Sequence, residues 1–130
     1  MRIAVDCDST IFKKVEFPKL GEEVPYAIGI IKRLIASGHE IYMWTCRSGE
    51  SVLIMKDALD ALGVKYKSIN ERTDQRGFSA KIDVDLFIDD KAIYCPLIPQ
   101  ENGRPYVDWL AIEIWLKRNG YYTIPLGEGK

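Results

Sequence analysis

Two carboxylates, Asp6 and Asp8, stand one residue apart directly after the apolar run Ile3, Ala4 and Val5, and two hydroxyls follow at Ser9 and Thr10. On an extended backbone, alternate residues share a side. The two acids would then lie close enough to repel each other unless a cation or a shared proton came between them. A hard divalent metal relieves that repulsion, because Mg²⁺ takes oxygen ligands and one or two carboxylates usually suffice beside water and phosphate. The plainer alternative is a strand that ends in a solvated acidic turn. Other apolar runs end in polar groups too: Thr45 follows EIYMW at 40–44, and Asp89 and Asp90 follow VDLFI at 84–88. Lys81 stands in the loop before the last of these runs, and Arg47 lies two residues past Thr45. Arg47 would put a guanidinium at the mouth of such a site, against the alternative of a solvated loop arginine.

A parallel sheet would bring these ends together. The chain of 130 residues suits one domain, 1–130, with a single core. Its hydrophobic share of 47% and charged share of 28% are ordinary for a soluble globular protein. A net charge of −1 provides no global basic field for nucleic acid or an acidic membrane. Cys7, Cys46 and Cys95 have no short paired spacing and His39 is the one histidine, so neither a disulfide frame nor a zinc site is indicated. Each cysteine is expected to be a small buried hydrophobe, with a thiol nucleophile at Cys7 or Cys46 as the rival. No run reaches transmembrane length and no leader pattern opens the chain, so no membrane partner and a reducing, cytoplasmic setting are expected.

The elements follow from periodicity. A strand through Ile3, Ala4 and Val5 leads into an irregular flap that carries Pro18, Gly21 and Pro25. Ile28, Ile31, Leu34 and Ile35 recur at helical spacing, with Gly38 as the stop. A second strand at 40–44 precedes a helix capped by Ser51 and ended by Gly63. A third strand at 64–69, a polar loop at 70–80 and a fourth strand at 84–88 come next. The proline-bearing stretch 92–106 reads as irregular, 107–119 as a helix, and 122–124 as a possible edge strand. Trp109 and Leu116 on that last helix are expected to pack rather than bind. Alternation of this kind implies a mostly parallel, three-layer Rossmann-like α/β sheet with helices on both faces, strand ends gathered along one edge.

In that arrangement Asp6, Asp8, Thr45, Lys81, Asp89 and Asp90 converge, and their pattern closely resembles the haloacid dehalogenase-like superfamily of phosphotransferases. That superfamily's first motif is an apolar strand followed by DxDx[TV], matched by Asp6, Cys7, Asp8, Ser9 and Thr10. Its second, a strand ending in Ser or Thr, is similar to IYMWT with Thr45; its third, a lysine, to Lys81; its fourth, a strand ending in paired acids, to LFIDD. The resemblance covers residues 2–90 in the family's motif order. It implies that Asp6 is a nucleophile forming an aspartyl-phosphate, and that Asp8 is the acid and then the base. It implies further that Asp6, the Asp8 backbone carbonyl and Asp89 hold Mg²⁺ with support from Asp90. Thr45 would bond a phosphate oxygen and Lys81 would offset charge, with Lys91 as its competitor. Phosphoryl transfer is largely positioning and charge neutralisation, which accounts for these residue types.

Many members carry a cap inserted after the first motif or between the second and third. Here the first gap has room for the flap and one helix, and the second for a helix, a strand and a loop, so a capless member is expected. Such members act on large substrates or borrow a lid from a neighbouring subunit, so the partner would be a phosphorylated small molecule or macromolecular end, with a homo-oligomer possible. Two other classes stay in view: a catalytically silent metal- or phosphate-binding module on the same fold, and a metal-dependent nuclease with clustered acids. A receiver-type signalling domain would put its phosphoacceptor on a middle strand, where this chain has Thr45 or Ile69.

Overall fold

The computed structural model describes residues 1–71 and 81–122 of the chain. Four parallel strands form its sheet: β1 (Arg2–Val5), β2 (Glu40–Met43), β3 (Ser68–Ile69) and β4 (Leu86–Ile88), in the order β3-β2-β1-β4. Consecutive residues Ile3, Ala4 and Val5 are all buried, as are Ile41, Tyr42 and Met43. Burial of successive side chains means that both faces of β1 and β2 are covered, which explains their unbroken apolar runs. Residue Arg2 pairs with Glu40 on one side of β1, and Ile3 pairs with Leu86 on the other. The chain steps from β1 to β2 to β3 in one direction and then returns to place β4 on the far side of β1. The reversal leaves a crevice at the carboxyl ends of β1 and β4, where open α/β sheets bind ligands.

Helix α1 (Ala27–Ala36) buries Ala27, Ile30, Ile31 and Leu34, and the chain leaves it through Gly38 at φ 92°, a left-handed conformation that glycine adopts without strain. Helix α2 (Glu50–Ala61) buries Ser51, Met55 and Leu59. Its cap position is Gly49, two residues earlier than the expected Ser51; the Ser51 Oγ instead accepts from Ser48 N at 3.0 Å and donates to Ser48 O at 2.7 Å. Two strands are shorter than their apolar runs suggested. Val64 is buried, yet the ladder with β2 begins only at Ser68, opposite Tyr42; β4 likewise starts at Leu86 rather than 84.

The stretch expected to be irregular holds an antiparallel ribbon, β5 (Leu97–Ile98) with β6 (Tyr106–Val107). Val107 therefore belongs to a strand, and helix α3 (Trp109–Arg118) begins after Asp108, whose side chain accepts from Ala111 N. Arg33 of α1 bonds Glu113 of α3 at 3.1 Å, and the Tyr122 hydroxyl donates to the same carboxylate at 3.1 Å. Tyr121 and Tyr122 are not in a strand; the rest of the expected edge strand at 122–124 and most of the 70–80 loop lie outside the described residues. The fold among the described residues is thus mixed α/β, four parallel strands and three helices with a small ribbon, compatible with a Rossmann-like sheet. No helix of the described residues is long and apolar enough to cross a membrane.

Candidate functional site

Asp6 is the first residue beyond β1, and its amide still donates to Ile88 O at 3.0 Å, so the β1/β4 ladder carries it to the side of Asp89 and Asp90. One oxygen from each of Asp6, Asp89 and Asp90 lies within 4.8 Å of the others. Burial pushes the Asp6 carboxyl up to about 7, with the Asp89 charge and a hydrogen bond from Asp90 adding to it. Carboxylates so placed call for positive charge. The donor set is all oxygen and half-buried, which fits a hard cation such as Mg²⁺ and not a thiolate- or imidazole-seeking metal.

Thr10 holds two of the three acids, Asp6 and Asp90, in register. Its side chain is fully buried, and Oγ1 lies 3.3 Å from Asp6 Oδ2 and 3.5 Å from Asp90 Oδ1 while accepting the Asp90 N–H at 3.3 Å. Its single hydroxyl proton serves either carboxylate. The Thr10 carbonyl in turn accepts the Trp109 indole N–H at 2.7 Å, and the Ser9 carbonyl accepts Val107 N at 2.9 Å. The β6–α3 junction is therefore a strut behind the acidic loop. Thr10 was visible in the DxDx[TV] pattern, but nothing in the sequence assigned it this bridging position. Asp89 is fixed by its own turn, accepting Lys91 N at 2.9 Å.

Asp8 is near the three acids but not among the clustered oxygens. Both of its carboxylate oxygens are gripped by Arg47, Nε to Oδ2 at 2.9 Å and Nη2 to Oδ1 at 2.7 Å. The remaining Arg47 N–H groups reach the carbonyls of Pro18 (3.1 Å), Lys19 (2.8 Å) and Ser51 (3.2 Å). The guanidinium is buried, at 1% exposure for the residue. Burial would lower its pKa, and the Asp8 carboxylate outweighs that and leaves it raised. The sequence placed Arg47 at the mouth of the site as a phosphate contact; instead it lies inside the wall, with all five donors taken.

A cleft of ≈ 90 Å³ opens over the acids, lined by Asp6, Asp8, Ser9, Asp89 and Asp90 together with Lys14, Phe17, Cys46, Lys91 and Arg104. Arg104 Nη2 stands 4.0 Å from Asp90 Oδ2. Lys81 is not among the lining residues; its ammonium lies 5.9 Å from the Phe87 ring centroid, and of the two lysines weighed it is Lys91 that borders the cleft. Thr45 is also outside the lining: its Oγ1 accepts Arg47 N at 3.1 Å and its amide donates to Asn70 Oδ1 at 2.8 Å, so it shapes the turn that carries Arg47. Lys14 and Phe17 were not singled out from sequence and Arg104 was given no role there, because flap and ribbon residues carry no strand-end signal. Cys7 is fully buried, and burial pushes its thiol up, as an inert core residue requires. Cys95 is half-buried, and burial with the Asp90 and Asp89 charges pushes it up to about 11. Cys46 departs from expectation, being exposed at the cleft.

A solved structure of a conserved protein from Bacteroides thetaiotaomicron matches this fold with a TM-score of 0.74 and 33% identity, over 92% of this chain and 91% of that one. The chain belongs to that protein's family. No protein-family model matches the chain, and no curated protein matches it.

Proposed function

We propose that this protein is a Mg²⁺-dependent phosphomonoester hydrolase working through an aspartyl-phosphate on Asp6, with a capless three-layer domain of the haloacid dehalogenase-like type. The observation that carries the reading is the meeting of Asp6, Asp89 and Asp90 at the β1/β4 switch point, with Asp8 on the wall of the same small cleft. Mg²⁺, held by Asp6, Asp89 and the Asp8 backbone carbonyl with Asp90 in support, would supply the charge that keeps Asp6 ionised and offsets the transferring phosphoryl group. An Asp6 carboxylate oxygen attacks phosphorus, the bond to the leaving oxygen breaks, and Asp8 delivers a proton to that oxygen. Water then attacks the phosphorus of the acyl phosphate, Asp8 takes its proton, and inorganic phosphate leaves with Asp6 restored. The proton that Asp8 delivers is one taken up beforehand from solvent or from the water of the preceding turnover, and each Asp8 oxygen bonded to Arg47 keeps a second lone pair that can carry it. Lys14, Lys91 and Arg104 border the cleft as cations for the phosphate oxygens.

A cleft of ≈ 90 Å³ holds a phosphoryl group and little more, so the leaving group projects over the rim. That supports phosphorylated ends or small esters presented from outside. The test is phosphate release from a panel of aryl, sugar, nucleotide and oligonucleotide-end phosphomonoesters, with Mg²⁺ or chelator, beside Asp6→Asn. Release that needs both Mg²⁺ and Asp6 is expected. Release that survives in Asp6→Asn removes the nucleophile assignment, cleavage of phosphodiesters alone favours a nuclease, and Mg²⁺ binding without any turnover favours a silent binding module.

A further inference from the structure

Backbone bridges join the loop after Asp8 to the two ends of the flap, Asp8 with Phe12 and Phe12 with Glu23, and Arg47 adds a side-chain tie among Asp8, the tip of the flap and the start of α2. Its fork grips both Asp8 oxygens, its other N–H groups hold the flap at the Pro18 and Lys19 carbonyls, and one reaches Ser51 O in the first turn of α2. The Phe17 ring covers the guanidinium, 4.7 Å from centroid to Cζ, and on the flap Lys14 Nζ lies 4.0 Å from the centroid of the same ring. Phe17 and Lys14 both line the cleft. The side chain that orients Asp8 is therefore the one that fastens the wall carrying Lys14 and Phe17.

We infer that Arg47 is a positioning residue that couples the flap to Asp8, so that the orientation of the acid and base group and the closure of the flap wall are one structural event. The inference rests on the phosphatase reading for its catalytic half and on geometry alone for its structural half. A planar, five-donor fork is required for this, and lysine, with three donors on a point charge, cannot reproduce it. Bidentate charge-assisted bonds are also the kind that hold a carboxylate in one plane. A displaced Asp8 slows the step that needs a proton most, which is departure of a basic alkoxide.

The experiment compares Arg47→Lys, Asp8→Asn and the double variant by kinetics with Mg²⁺ and by amide hydrogen exchange over residues 13–22. Arg47→Lys should lose about 100-fold in kcat on an alkyl phosphate, as expected of a misplaced reacting group, and clearly less on an activated aryl phosphate. The double variant should be no slower than Asp8→Asn alone, because both changes remove one unit. Flap amides should exchange about tenfold faster in Arg47→Lys and also in Asp8→Asn, since loss of a charge-assisted bond at either end loosens the other. Equal losses on both esters with multiplying effects in the double variant would overturn the coupling to Asp8. Unchanged flap exchange in both variants would overturn the fastening. If the wild-type protein releases no phosphate from any ester, the phosphatase reading falls, and the exchange comparison still decides whether Arg47 links Asp8 to the flap; Asp8→Asn answers this even where Arg47→Lys does not fold.

Discussion

At the scale of single residues, the site is a balance between buried negative charge and the few groups that answer it. Thr10 answers with one hydroxyl that sets Asp6 and Asp90 at a fixed separation. Thr10→Val preserves the shape and removes that bridge, so Mg²⁺ affinity should fall about 10- to 100-fold, the usual cost of losing a group that orients a metal-binding carboxylate; isothermal titration calorimetry measures it. Asp8 is answered by Arg47 and lies outside the acid cluster, and on the proposed phosphatase reading it exchanges protons with substrate rather than binding metal through its side chain. Asp8→Ala should therefore slow hydrolysis of an alkyl phosphate more than that of an activated aryl phosphate, because only the former leaves as a strong base. Steady-state kcat on the two esters checks this, and equal losses would take the proton-transfer role from Asp8.

At the scale of elements, the acidic loop after β1 is held from behind by the β6–α3 junction. Trp109 is almost fully buried, and its indole N–H is spent on the Thr10 carbonyl, so one side chain anchors both the helix and the loop. Trp109→Phe leaves that carbonyl without its partner in the core and should cost about 1–3 kcal/mol. A lower urea midpoint at unchanged m would register the loss. Metal affinity should weaken in the same variant, since Thr10 is positioned through this bond. The flap is held separately, through Arg47 and through the close approach of Gly21 to Lys13, where a Cβ would run into the Lys13 carbonyl.

At the scale of the whole molecule, the pushed-up Asp6 carboxyl links stability to pH and metal. With Asp6 near 7 in the folded protein and at the ordinary aspartate value of 3.8 when unfolded, the folded state binds more protons than the unfolded state between those limits. Stability of the metal-free protein should then fall as pH rises from about 4 to about 7. If Mg²⁺ binds as proposed it opposes the fall, because it needs the ionised carboxylate, and it should raise the melting temperature more at pH 7.5 than at pH 5. Thermal melts with chelator or Mg²⁺ test this, and Asp6→Asn should flatten the chelator curve. Much of this molecule was legible in the chain itself. Apolar runs ending in Asp6, Thr45 and Asp89 marked strand ends, because a covered parallel strand must be apolar along its length and can turn polar only where it leaves the sheet. Helices α1 and α2 showed in their 3.6-residue stripes. What the chain could not decide was which ends adjoin. The order β3-β2-β1-β4 puts Asp6 beside Asp89 and Asp90 and leaves Thr45 on the other flank, and no local pattern encodes that order. Burial of Arg47, the bridging role of Thr10 and the choice of Lys91 over Lys81 at the cleft rest on contacts between distant segments, as in Thr10 with Asp90 and Arg47 with Asp8. Residue type and spacing report how each segment meets water, and only packing reports which charged groups meet each other.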